Sequence, residues 1–382
     1  MDDLLFLFLI FSSVVVLLYT IKFFSLTVGW LHLSRYPLLT AEVKIAVVIA
    51  ARNEEENISN CLLSVLKQNY SNELFEVIVV DDHSDDTTAS IVEELMQKHS
   101  NLKLIRLSGA DQQGKKNAIK NGIVNSQSEL IVTTDADCIV TENWLSSIAS
   151  FYVQTKAKMI VGPVVIQNER SFFEKMQSLE LVALIASGAG SLHYNKPLMC
   201  NGANLVFERS VFNEVSGYDG IDAISTGDDV LLMYKIEKKH PGSIRFLKDK
   251  QALVSTSAQH SLKNFLHQRK RWASKPFGML NFSTKYLSLL VFFTNLIAII
   301  LICSLFCSQK SEFYPLFSKI CLILLGIKCF IDFLLLFLAS SFFGKRRLLW
   351  YFLPEQLIYM FYVVIVGLMS FNRSYSWKGR NY

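Results

Sequence analysis

No Cys-x-x-Cys pair occurs in this sequence, and its seven cysteines are an odd number. Four of them, Cys303, Cys307, Cys321 and Cys329, stand in apolar C-terminal segments. That distribution argues against a disulfide framework and a thiolate zinc site, and reads as buried thiols. Internal repeats and low-complexity tracts are lacking, which excludes a solenoid. A cleaved signal peptide is not expected, because the start, Met1-Asp2-Asp3, is acidic and no small-residue cleavage site follows. Strong charge of one sign is missing too: 38 basic against 33 acidic residues leave +5 at pH 7. The basic residues gather at 263–285 and 345–347, beside apolar runs. They read as membrane flanks, and no nucleic-acid partner is expected.

Apolar residues are abundant, at 51% of 382, with a mean hydropathy of +0.31. They cluster at both ends. Residues 4–26 are interrupted only by Lys22 and are long enough to span a bilayer, so 1–33 is expected to be an uncleaved anchor. Its C-terminal flank carries Lys22, His32, Arg35 and Lys44. The positive-inside rule then puts the next domain in the cytoplasm, on a multi-pass protein of the cell membrane. Residues 261–285 interleave basic and apolar positions and suggest a helix at the membrane surface. Three more apolar segments, 286–307, 316–343 and 348–371, fill the region 286–371, and 372–382 is a tail. The charge rule conflicts with itself here. With Lys345-Arg346-Arg347 inside, the last segment carries Arg373, Lys378 and Arg380 outside. Pro354 and Glu355 near its start suggest a broken or re-entrant helix shielded by protein.

Residues 44–260 alternate between short β-branched runs (44–50, 75–80, 102–107, 130–134, 159–165) and helical patterns (57–68, 87–99, 115–125, 144–151). This predicts an α/β domain of Rossmann type with a mostly parallel sheet. Ligands in such sheets bind at the carboxyl ends of the strands. Acidic and polar residues stand at three of those ends: Arg52-Asn53-Glu54, Asp81-Asp82-His83-Ser84 and Asp135-Ala136-Asp137. Any one of them could be a helix cap; three on one edge point to a site. Asp135 and Asp137 alternate onto the same side of an extended chain. Two close carboxylates repel unless a cation joins them, and Mg²⁺ or Mn²⁺ with a diphosphate suits so few protein oxygens. Asp228-Asp229 precedes an apolar helical pattern, as an N-cap or as a general base for a hydroxyl nucleophile. Gln268-Arg269-Lys270-Arg271-Trp272 reads either as a basic membrane flank with an interfacial Trp, or as an arginine for a diphosphate beside a stacking aromatic.

In order, Ala51–Glu54 of 51–54, Asp81-Asp82-His83-Ser84, Gly114-Lys115-Lys116-Asn117-Ala118, Asp135-Ala136-Asp137, Asp228-Asp229 and Gln268–Trp272 of 268–272 resemble the motifs of membrane-bound family 2 glycosyltransferases with a GT-A fold. Cellulose, chitin and hyaluronan synthases share the set, and ceramide glucosyltransferases share most of it. The resemblance covers about 44–275. It implies that Arg52, Glu54 and Asp82, with Asp81 nearby, hold uridine, and that Lys115 contacts the base or phosphate. Asp135 would touch ribose or metal, and Asp137 would be the direct metal ligand. Asp229 would be the base with Asp228 beside it, and Arg271 would stabilise the diphosphate. Gln268, Trp272 and the loop Asn201-Gly202-Ala203-Asn204 would face the acceptor. Trp377-Lys378-Gly379-Arg380 resembles a tail of lipid-modifying members. The base motif is Asp-Asp, as in hyaluronan synthases, and says little about the sugar.

The implied reaction is a single inverting displacement from a nucleotide-sugar, expected to be a UDP-sugar, assisted by Mg²⁺ or Mn²⁺. The expected acceptor is a membrane lipid or lipid-linked sugar, because four spans offer a thin wall for a polymer channel. The alternatives are a polysaccharide synthase subunit, with a partner protein or an oligomer completing the channel, and an inactive membrane-tethered sugar-nucleotide binding module. Residues 172–186, charged only at Glu174, Lys175 and Glu180, read either as a helix against the membrane beside the acceptor pocket or as a core helix.

Overall fold

The computed structural model describes residues 2–109, 113–221, 227–274, 277–307, 314–370, 376–377 and 380–381. They form two compact units. One comprises Leu33–Glu169, Ser191–Ala258 and Ser376–Tyr382; the other comprises Met1–His32, Arg170–Gly190 and Gln259–Tyr375.

After the long apolar helix α1 (Asp2–Leu31), the chain enters the α/β unit. Its order is β1 (Ile45–Ala51), α2 (Ile58–Leu66), β2 (Phe75–Asp81), α3 (Thr88–Met96), β3 (Leu102–Arg106), α4 (Lys115–Val124), β4 (Leu130–Asp135), β5 (Ile139–Val140), α5 (Trp144–Thr155), β6 (Met159–Val161) and β7 (Val164–Ile166). There follow α6 (Phe172–His193), β8 (Leu205–Glu208), α7 (Arg209–Glu214), α8 (Asp228–Lys239), β9 (Ile244–Phe246) and β10 (Val254–Thr256). Seven strands make one sheet in the order β3-β2-β1-β4-β8-β6-β9, and β5-β10-β7 make a smaller one. The large sheet is mostly parallel; β8 alone opposes its neighbours β4 and β6. The runs Ile45–Ala51 and Phe75–Asp81 are buried almost throughout, as expected for parallel strands covered on both faces. Helix α4 lies so close to β1 that a Cβ on Gly122 would meet Val48 Cγ1 at 2.4 Å.

The run 159–165 is two strands, not one. Pro163 has no N–H to donate to a ladder, and the chain crosses there from the large sheet to the small one. Strands β8 and β9 carry only four and three residues, too few for a pattern to show.

The second unit contains α9 (Leu262–Ala273), α10 (Phe282–Cys307), α11 (Tyr314–Ser340) and α12 (Phe352–Met369), together with α1 and most of α6. Among the described residues, four helices are long and apolar enough to cross a membrane: Asp3–Leu31, Phe282–Phe306, Tyr314–Ser340 and Arg346–Met369. The last is a short 3-10 stretch, Arg346–Tyr351, leading into α12. Pro354 sits in the first turn of α12, where an N–H has no intrahelical partner to lose, and the helix runs on unbroken to Met369. Arg373, Lys378 and Gly379 lie outside the described residues; Ser376–Trp377 pairs with Arg380–Asn381 as two short strands, β11 and β12. Residues 170–190 cluster with the apolar helices rather than with the sheet. Helix α6 is buried along most of its length, including its polar Glu174, Gln177 and Glu180, the mark of a helix enclosed by others.

Gly190 fixes the distance between α6 and α1. A Cβ there would stand 2.1 Å from the Leu26 carbonyl oxygen and 3.1 Å from the Trp30 nitrogen. Those are backbone atoms and cannot swing aside. Alanine improves helix propensity by about 1 kcal/mol, whereas overpacking costs about 1–3 kcal/mol. Gly190→Ala is therefore expected to lower the melting temperature of the protein in lipid nanodiscs, and a rise would show that the helices separate freely.

Candidate active site

The strand register brings the acidic ends level. Ala51 pairs with Asp81 and Ala50 with Asp135 on either side of β1. Because β8 runs against β4, with Leu205 opposite Thr133, the loop preceding β8 arrives at that same edge. Thr133 Oγ1 donates to the Gly202 carbonyl at 2.8 Å and pins this loop.

At one end of the edge, the Arg52 guanidinium donates to the carbonyls of Asp82 (2.8 Å) and His83 (2.7 Å). Gly114 N donates to Asp82 Oδ2 at 3.0 Å, which ties the turn to the start of α4. Arg52 and Asp82 thus shape the turn. Asp81 is buried. Its Oδ2 accepts from Ser84 N at 3.4 Å, and its Oδ1 has no hydrogen-bond partner. Leaving a buried acceptor unpaired costs about 1–3 kcal/mol, a cost that a ligand N–H would remove.

In the middle, ligand atoms of Asp135, Asp137 and Cys138 lie within 4.8 Å of one another. Burial, then the charges of Asp135 and Glu54, push the Asp137 carboxyl up to about 6. Burial pushes the Cys138 thiol up as well, and Asp135 and Asp137 add to it. The thiol therefore stays protonated and points to Asp137 Oδ1 at 3.6 Å. What remains for a cation is a pair of mutually repelling carboxylates, all oxygen, which fits Mg²⁺ or Mn²⁺ and not a thiophilic ion. Desolvation works against the Lys115 ammonium, but Asp135, Asp228 and Asp229 outweigh it and hold its pKa above the ordinary value. The ammonium bonds to Asp135.

At the far end, Asp228 and Asp229 open α8. Asp229 accepts from Gly202 N (3.1 Å) at Oδ2 and from Val230 N (2.7 Å) at Oδ1. A Cβ on Gly202 would come 3.5 Å from Lys115 Nζ and 3.7 Å from Asp229 Cβ, ordinary contact distances, so the loop, the lysine and the carboxylate converge at this point. Burial raises the Asp228 carboxyl, Lys115 opposes this, and Asp229 reinforces it. Asn201 caps the 3-10 turn that follows it, accepting from Ala203 N at 3.0 Å. Asn204 is structural: it accepts from Trp144 Nε1 at 3.1 Å and donates to the carbonyls of Pro163 and Ala252, both at 2.9 Å.

Arg52, Glu54, Asp81, Asp82, Lys115, Asp135, Asp137, Asn201, Gly202, Asp228 and Asp229 thus all belong to the α/β unit. Gln268, Arg271 and Trp272 stand on α9 in the other unit. Thr133 and the backbone of Gly114 were missed as supports. A threonine within an apolar strand gives no motif, and a backbone donor gives no residue type.

Residues 46–216 match the family described as Glycosyl transferase family 2. A poly-beta-1,6-N-acetyl-D-glucosamine synthase of Staphylococcus epidermidis is 27% identical over 236 residues, 60% of this chain and 53% of that protein. A beta-monoglucosyldiacylglycerol synthase of Synechocystis is 23% identical over 252 residues, 62% of this chain and 50% of that protein. The chain therefore spans about half the length of the curated relatives it matches. A mannosyltransferase from Pyrobaculum calidifontis, solved with GDP-Man and Mn²⁺, superposes with a TM-score of 0.57 at 17% identity, over 97% of this chain and 99% of that one. The fold is GT-A-like.

A raised carboxyl favours the neutral form. The stability Asp137 contributes is present at low pH and is lost as pH rises through about 6. A bound cation reverses this, and protons compete with it below that pH. Mn²⁺ is expected to raise the melting temperature more at pH 7 than at pH 5, and Asp137→Asn should abolish the difference. An equal shift at both pH values in the unaltered protein would refute the site.

Proposed function

We propose, from the premise that residues 46–216 are a glycosyl transferase family 2 domain, that this protein is an inverting glycosyltransferase. It moves a sugar from a UDP-sugar to a lipid or lipid-linked acceptor at the cytoplasmic face of the cell membrane. The observation that carries the reading is the level register of Asp81, Asp135 and the Gly202–Asp229 contact along one edge. It supplies base recognition, diphosphate neutralisation and a proton acceptor in sequence.

Asp81 Oδ1, buried without a donor, suits the N3–H of uracil. Asp135 and Asp137 would hold Mg²⁺ or Mn²⁺, whose chemistry there is neutralisation of diphosphate charge. Lys115 adds a fixed positive charge beside Asp135. Asp229, held by two backbone N–H groups, keeps lone pairs for the acceptor hydroxyl proton. Arg271 is assigned to the leaving diphosphate, and Gln268 and Trp272 to the acceptor, by the motif in which they stand. Four candidate spans among the described residues leave little wall for a polymer channel, which favours a lipid acceptor, as the name of the Synechocystis relative does for that protein. The staphylococcal relative's name favours a polysaccharide synthase instead. UDP release from a panel of UDP-sugars with Mn²⁺, with lipid extract and with oligosaccharide primer, decides between the two.

Two sets of variants test the assignments. Cytosine has no N3–H, so the unaltered protein should bind UDP more tightly than CDP. Asp81→Asn should weaken UDP by about 10–100-fold, the range of a charged hydrogen bond, and narrow that preference; an unchanged ratio in calorimetry refutes the role. Asp229→Asn should slow single-turnover transfer by about 10²–10⁴-fold, as loss of a general base does, with UDP affinity preserved. Asp228→Asn should be milder. Because burial raises the Asp228 carboxyl, the reverse order would assign the base to Asp228.

A further inference from the structure

Arg269 is not one of the residues that the motif resemblance assigns, yet it organises two that are. It lies on α9 with Phe265 and Trp272 at positions i, i+4 and i+7, one face of a helix. It is 5% exposed. Its guanidinium is gripped by the Glu180 carboxylate of α6: Nε donates to Oε2 at 2.9 Å, and Nη2 donates to the same oxygen at 2.6 Å. Tyr362 of α12 donates its hydroxyl to the other oxygen of Glu180. Ahead of α9, Gln259 and Gln177 exchange two hydrogen bonds at 2.8 and 2.9 Å, so α6 holds α9 at its approach and at its middle.

We propose that Arg269, clamped by Glu180 and Tyr362, is the positioning residue of the Gln268–Trp272 motif. Its Nη1 donates to the Gln268 Oε1. Arginine can only donate, so the oxygen of Gln268 must face Arg269, and the amide N–H groups are left to face another acceptor. Its guanidinium carbon also lies 4.3 Å from the Trp272 ring centroid and 4.5 Å from that of Phe265. One face of the indole is thereby fixed. A lysine cannot reproduce a planar guanidinium that binds a carboxylate in a fork and stacks at the same time. The proposal rests on the reading of Gln268 and Trp272 as acceptor residues.

The test uses the full chain in nanodiscs, labelled with 5-fluorotryptophan, with the Trp272 resonance identified by its loss in Trp272→Phe. Arg269→Lys and the double variant Glu180→Leu/Arg269→Met are compared with the unaltered protein. The double variant replaces a buried ion pair with apolar groups, which keeps the fold stable. Both are expected to move the Trp272 resonance and to lower kcat for transfer by about 10–100-fold, the scale of a misplaced reactant, with UDP affinity within about twofold. An unmoved resonance, or a double variant of normal melting temperature that transfers at full rate, overturns the proposal. If the unaltered protein transfers no sugar while the resonance still moves in the variants, the proposed function fails and the clamp on Trp272 stands.

Discussion

Concentrated negative charge has to be offset wherever it gathers, and at the carboxyl edge of this sheet the ammonium of Lys115 does so in the bare protein. It bonds to Asp135 and is held charged by Asp135, Asp228 and Asp229. Without it, the carboxylates at the end of β4 and the start of α8 would face one another across the Gly202 loop. The lysine covers only part of the charge. Asp137 remains raised by burial and then by Asp135 and Glu54, and on the proposed reading a hard cation would offset that remainder. On the proposed reading, a fixed positive group at this position would meet an incoming diphosphate with no reorganisation when charge develops.

Topology decides which residues can share that edge. Parallel neighbours end together, which levels Ala51, Asp81 and Asp135. The one reversed strand, β8, matters as much. Running against β4, it presents its beginning where the others present their ends, so the loop before it meets Asp229 through Gly202 N. A parallel β8 would put Gly202 at the opposite edge.

The sequence made the alternation of strands and helices legible because the parallel strands are long, apolar on both faces and separated by polar turns. The reversed strand was not legible: Leu205–Glu208 has only four residues, and antiparallel direction leaves no mark on so short a run. The acidic clusters were visible because their residue types are unusual at the ends of apolar strands. Their division of labour was not. That Asp81 keeps an unpartnered oxygen while Asp82 is spent on Gly114 depends on which backbone N–H groups converge, and neighbouring aspartates look alike in a sequence. The break at Gly162-Pro163 was legible in principle, since proline rarely continues a ladder, but the apolar residues on either side concealed it.

The apolar unit poses the opposite problem. Helices that are apolar on every side pack against one another and against lipid with little difference in energy, so burial alone does not fix their rotation. Polar groups placed inside such a unit do fix it, because each must find its partner or bear the cost of an unpaired charge. Tyr19 of α1 donates to Asp332 of α11 at 2.7 Å, and Lys328, one turn before, lies 2.9 Å from the other oxygen of Asp332 and donates to Gln356 of α12. The Glu180–Arg269 pair does the same for α6 and α9. The Tyr19–Asp332, Lys328–Gln356 and Glu180–Arg269 contacts each join two helices and favour the rotation in which both partners meet. Gly190 complements them by setting a distance: it lets α6 approach the backbone of α1 at Leu26 and Trp30.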